Sequence, residues 1–104
     1  MQSDDENLRT RLNQETGRLS WQEIERHFAR GVVVRVAPDL DLVDVAARMA
    51  SDDKQGFMPW FSAGRVARAS ADDARDWNER DATFWAVVVA PWVLVQEIES
   101  PTTK

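Results

Sequence analysis

A chain of 104 residues has room for one domain of ordinary size and little more. Its 13 Lys and Arg against 18 Asp and Glu leave a net charge of −5, which argues against a surface built to hold nucleic-acid phosphates. Cysteine is absent, which excludes disulfides, thiol catalysis and thiolate metal sites, and a hydrophobic fraction of 43% is that of a globular chain.

Residues 1–7 are polar and acidic and are expected to form a disordered tail. They lack the basic and apolar segments that direct export, so a cytoplasmic location is expected. Leu8, Leu12 and Leu19 lie four and seven residues apart, which predicts a helix over Asp5–Thr16 stopped by Gly17. Ser20-Trp21-Gln22-Glu23 reads as a capping box, in which hydroxyl and carboxylate each satisfy an orphan backbone N–H. It opens a second helix, ended by Gly31, with Trp21, Ile24 and Phe28 on one apolar stripe. The run Val32–Ala37 is rich in β-branched residues and is closed by Pro38-Asp39, which predicts a strand. Helical spacing returns with Leu42, Val45, Ala46 and Met49, and Asp39 or Asp41 can cap this third helix.

Phe57, Trp60 and Phe61 again have helical spacing, with Gly64 as the stop. Pro59 removes a backbone bond inside that segment and crowds the preceding turn, so either a kink or two short turns are expected. Arg65–Ala69 reads as a short second strand with Val66 as its main apolar residue. Ser70 caps a fifth helix over Ala71–Arg80, with Asp72 and Asp73 at its positive end and Ala74 and Trp77 facing inward. Thr83–Ala90 is apolar on both alternating sets, which predicts a strand covered on both faces at the centre of the sheet. Beyond Pro91, Val93–Ile98 either prolongs that strand past a bend or runs along an edge, and residues 99–104 are expected to form a second disordered tail.

The predicted class is α/β, with α+β as the alternative: a small three-stranded, mostly parallel or mixed sheet flanked by about five helices. The predicted order is helix-helix-strand-helix-helix-strand-helix-strand, within one globular domain over residues 8–98. The longest apolar stretch, Phe84–Val95, is shorter than the roughly 20 residues a membrane-crossing helix needs and is interrupted by Pro91, so it is a buried element.

Catalytic chemistry finds little material. His27 is the only histidine, sits on the flank of an apolar stripe, and has no Ser or acid in an identifiable relation to it, so a structural or solvent-edge role is expected. Asp39, Asp41 and Asp44 are spaced like part of a calcium loop but lack its glycine and distal glutamate, so capping and solvation account for them. The four glycines are isolated, which leaves no phosphate cradle. Five tryptophans in so short a chain are the unusual feature. Trp21, Trp77 and Trp85 hold positions a core would use, whereas Trp60 and Trp92 follow prolines at element ends, where a partly exposed ring is easier to place.

Two segments echo each other, Val34–Leu42 and Val87–Val95, each with a strand that stops at Ala-Pro. If those strands are adjacent and parallel, Pro38, Asp39, Pro91 and Trp92 meet on the edge where α/β sheets bind ligands.

The blocks Gly31-Val32-Val33-Val34, Val36-Ala37-Pro38 and Asp41-Leu42-Val43, then Trp60, Gly64 and Trp77, and above all Trp85–Gln96, make the chain resemble an uncharacterised family of small bacterial proteins catalogued as a domain of unknown function. The resemblance covers roughly residues 12–96 and implies a single intracellular domain; it brings no activity, substrate or cofactor. Pro59 departs from a smooth helix near Trp60.

Together these readings point to a non-enzymatic protein–protein interaction or accessory module, self-associating or bound to a protein partner, with Trp60, Phe61 and Trp92 as interface candidates. The competing expectation is a small-molecule binder or minor enzyme with its site at the strand carboxyl ends, around Asp39, Asp41 and Trp92. No catalytic group, metal site or cofactor is expected, and neither nucleic acid nor membrane as a partner. Arg65, Arg68, Arg75 and Arg80 are the residues from which a local basic strip could be built.

Overall fold

Capping chemistry sets where the helices begin. In the computed structural model, which describes residues 4–98, the backbone N–H of Ser20 donates to the Glu23 carboxylate at 2.9 Å while that of Glu23 donates to the Ser20 hydroxyl at 3.3 Å. The Asp41 carboxylate accepts from the N–H of Val43 and Asp44, and Ser70 and Asp73 form a second reciprocal box. The helices are α1 (Asp4–Glu15), α2 (Trp21–Ala29), α3 (Leu42–Ala50), α4 (Lys54–Ser62) and α5 (Ala71–Arg80). Helix α4 continues through Pro59 as one helix, not as two turns, and none of its residues is buried. Helix α1 starts at Asp4, inside the stretch expected as a tail; the rest of the two expected tails, residues 1–3 and 99–104, lies outside the described residues.

Among the described residues the sheet has five strands, not three: β1 (Gly17–Ser20), β2 (Val33–Val36), β3 (Val66–Arg68), β4 (Thr83–Val89) and β5 (Trp92–Glu97), in the order β1-β4-β5-β2-β3. Only β2 and β5 run parallel; the other three pairs are antiparallel, so the sheet is mixed. The segment after Pro91 neither prolongs β4 nor lies at an edge. Ala90 and Pro91, joined by a cis bond, turn the chain back so that Trp92 pairs with Val89 and β5 becomes the central strand. An unbroken apolar run carries no mark of reversal except its proline. Strand β1 escapes the sequence pattern because Leu19 is its only large apolar residue, and its pairing to the first half of β4 makes it a strand.

Alternation along the strands feeds two cores, one on each face of the sheet. On one face, Val34, Val36, Val66, Val87 and Leu94 meet Leu12 of α1 and Leu42, Val45, Ala46 and Ala47 of α3, with Trp60 and Phe61 of α4 at the margin. On the other, Val33, Phe84, Ala86, Val93 and Val95 meet Trp21 and Ile24 of α2 and Trp77 of α5. The aromatic side chains there form a relay: Trp77 stands edge-on to Phe84 at 4.9 Å between centroids, and Trp21 contacts both Trp77 and Phe28. The Trp21 indole N–H is buried without a hydrogen-bond partner among the described residues.

The expectation that β4 is covered on both faces fails at two places. Trp85 is 41% exposed and Val88 57%, while Ala86 and Val87 between them are buried. Trp85 shares the face of Val87 and Val88 the face of Ala86, so each face of β4 is left open at a different point along the strand.

Asp44 ties the helices of the first face together. Its carboxylate accepts from Arg9 of α1 at 2.6 Å and from Arg48, one turn further along α3, at 3.3 Å. Partial burial alone would raise its pKa, but the two guanidinium hydrogen bonds hold it below the usual carboxylate value of 3.8.

Two measurements test this packing. Phe84→Ala should lower unfolding stability by about 3–5 kcal/mol in a urea titration, because the cavity opens against Trp77 in a closed core. Val88→Ala, by contrast, should stay within about 0.5 kcal/mol of wild type. A carboxylate whose pKa is depressed by folding contributes stability above its unfolded pKa, and that contribution is lost as pH falls through the folded value. Asp44→Asn should therefore cost about 1 kcal/mol at pH 7, with the gap to wild type closing below pH 3.8.

Candidate functional site

A concavity of about 550 Å³ opens at the carboxyl ends of β2 and β5, between the sheet and α5. This is where α/β sheets place ligands. Its floor includes Arg35, which stands in register with Ala67 of β3 on one side and Val95 of β5 on the other. Its wall is α5, where the three- and four-residue spacing of Asp73, Asp76, Trp77 and Arg80 brings all four side chains to the cleft. Pro38 forms part of the rim.

Two ion pairs dominate this cleft. The Arg35 Nε donates to Asp73 Oδ2 at 2.9 Å, and the same oxygen accepts the Ser70 N–H at 2.9 Å, so one carboxylate both caps α5 and holds the strand arginine. Arg80 is bound more completely. It donates to both oxygens of Asp76, at 3.0 and 2.7 Å, and to both oxygens of Glu97 on β5, at 2.5 and 3.1 Å. These hydrogen bonds, Asp76 first and Glu97 second, raise the Arg80 pKa further above its ordinary value, and Arg80 in turn holds the Asp76 carboxyl below the carboxylate range. Among the described residues, no cluster of three or more side chains suited to a metal ion occurs.

The residues singled out from the sequence are dispersed by the fold. Asp39, on the loop after β2, is ion-paired with Arg65, whose hydrogen bond lowers its pKa. Asp41 is occupied as the cap of α3. Trp92 does not join them. Because β5 begins at Trp92 and runs parallel to β2, Pro38 and Asp39 lie at one end of the sheet and Pro91 and Trp92 at the other. The anticipated meeting of the two Ala-Pro ends fails because β4 is antiparallel to β5.

Trp60 and Phe61 share α4. Trp60 lies under the Arg48 guanidinium at 5.8 Å, and Phe61 packs edge-on with Phe57 at 5.6 Å. Trp92 is half-buried under Arg68 at 5.7 Å, with no ring contact to either. The exposed indole is instead Trp85, with Arg18 over its ring.

No basic strip forms from Arg65, Arg68, Arg75 and Arg80, since each is engaged locally: with Asp39, the Gly31 carbonyl, Asp72, and Asp76 with Glu97. His27 is half-buried and borders a smaller cavity of about 160 Å³ with Leu19, Val88 and Val93. The cleft residues Arg35, Asp73, Asp76, Arg80 and Glu97 were not anticipated as a group. A signal was present: Arg35 is the one charge inside the run Val32–Ala37, and a charge in a strand between apolar neighbours needs a partner.

Residues 7–97 match the model of a family described as protein of unknown function (DUF2288). The chain is also similar to the protein in the NMR solution structure of PA1075 from Pseudomonas aeruginosa, at 42% identity and a TM-score of 0.80, over 100% of this chain and 96% of that one. No curated protein matches. Among the described residues, no helix is long and apolar enough to cross a membrane.

The rim of the cleft is held by Gln96, whose Nε2 donates to the carbonyls of Ala37 at 2.9 Å and Leu40 at 2.6 Å. Gln96→Ala should cost about 1–2 kcal/mol and speed hydrogen exchange at the Leu40 amide, which itself bonds the Ala37 carbonyl. Unchanged exchange at Leu40 would show that the loop holds its shape without this side chain.

Proposed function

Because the chain belongs to the DUF2288 family of proteins of unknown function, which carries no assigned activity, we propose from its own surface that it is a non-enzymatic, cytoplasmic interaction module that docks through α4. The observation behind this reading is the state of that helix. Phe57, Met58, Trp60 and Phe61 crowd onto Lys54–Ser62, yet none is buried, and Met58 is 48% exposed. An amphipathic helix in a self-sufficient fold normally sinks most of its large apolar face, as α2 does with Trp21 and Ile24 and α3 with Leu42 and Val45. Aromatic rings and methionine that stay at half-burial are the composition of a contact surface. The first partner to consider is a second copy of the chain, since an apolar helix face is complementary to itself about a two-fold axis.

The reading is supported by the fit of Trp60 and Phe61 beneath this surface, where they anchor α4 to the first core and leave Phe57 and Met58 outward. A second reading, a small-molecule binder, is favoured by one specific observation: the charged cleft at the carboxyl ends of β2 and β5.

Sedimentation velocity tests the first reading directly. Wild type should show concentration-dependent association, and Met58→Asp should sediment as a monomer with an unchanged unfolding midpoint. Should wild type be monomeric at all concentrations, a protein captured from cells by wild type must be lost with Met58→Asp; if neither effect is seen, α4 is not a docking surface.

A further inference from the structure

The two ion pairs of the cleft differ in how completely they are satisfied. Arg80 engages Asp76 and Glu97 through all three of its nitrogens, and both carboxylates use both oxygens. Arg35 spends only its Nε, on Asp73 Oδ2, and among the described residues nothing accepts from its two terminal amino groups. Among the described residues Asp73 Oδ1 likewise receives no donor; the Ser70 N–H and Arg35 both go to Oδ2. A guanidinium fork and a carboxylate oxygen therefore stand side by side with unused hydrogen-bonding capacity. Both are held on rigid elements and reachable from solvent, with side chains 39% and 26% exposed.

Charge decides what can occupy this place. A simple anion on Arg35 would face Asp73, Asp76 and Glu97; a simple cation on Asp73 would face Arg35 and Arg80. A molecule that carries both signs a few ångströms apart meets each with its opposite. We propose that the cleft binds a zwitterionic α-amino acid, its carboxylate on the terminal amino groups of Arg35 and its ammonium on Asp73 Oδ1, a ligand assignment that rests on the small-molecule reading above. Two guanidinium groups against three carboxylates leave the cleft with one excess negative charge, so basic amino acids bind in preference to acidic ones.

The test is a nitrogen-15 NMR titration of the full chain with glycine, arginine, glutamate, acetate and methylamine, each added separately. The expected result is a saturable shift of the Arg35 Nε–H and Trp77 indole N–H signals with glycine and arginine, with arginine tighter than glutamate. Binding should weaken roughly tenfold or more in Arg35→Gln, which loses the charged fork. Arg35→Lys keeps the charge without the fork and should weaken it as well, which guards against a folding defect in the first variant. Shifts from acetate or methylamine as strong as those from glycine would overturn the amino-acid assignment while leaving the cleft a binder of charge. Binding that survives Arg35→Gln and Arg35→Lys would overturn the assignment of Arg35. No saturable shift with any of the five compounds would overturn both the assignment and the small-molecule reading.

Discussion

The fold depends on the reversal of the chain at Ala90-Pro91, which brings β5 back along β4 and inserts it between β4 and β2. Leu94 of β5 is fully buried in the first core, and Val93 and Val95, pointing the other way, are buried in the second. One strand thus serves both hydrophobic layers. Its neighbours are far apart in sequence, β2 at Val33–Val36 and β4 at Thr83–Val89, so both layers rest on contacts between distant segments. The site at the carboxyl ends of β2 and β5 exists only because these two strands run parallel; its floor is a product of the same insertion.

Charged residues are arranged around this frame with the same economy. Asp73 caps α5 through Ser70 and fixes Arg35 across the cleft, so the start of a helix and the position of a strand side chain share one carboxylate. Arg80 joins α5 to the end of β5, and Asp44 joins α1 to α3. No charged group is fully buried among the described residues. Exposed or half-exposed pairs of this kind contribute little individually to stability. They orient the elements that the apolar layers have already brought together.

The surface divides by chemistry. Helix α4, apolar and incompletely covered, lies over the first core, whereas the charged cleft lies on the opposite face of the sheet beside α5. Occupying one therefore leaves the other open. The rings of Trp60, Trp85 and Trp92 are each covered on one side by a guanidinium, and two of the three are half-buried. The least covered apolar residues of α4 are those that have no such cation above them.

What the sequence determined by itself was local. The capping boxes, the apolar stripes of α2 and α3 and the β-branched run of β2 are visible because each is written in residues within one turn or one strand of each other. Five helices and the alternation of helix and strand follow from those signals. The tertiary structure alone decided the number and order of the strands. Gly17–Ser20 becomes a strand only by pairing with β4, and the run through Pro91 reverses only because the returned segment finds partners on both sides. The same holds for the site. Arg35, Asp73, Asp76, Arg80 and Glu97 are distant or ordinary in sequence, and their meeting is set by strand direction and register, quantities that depend on contacts between segments and leave no trace within any one of them.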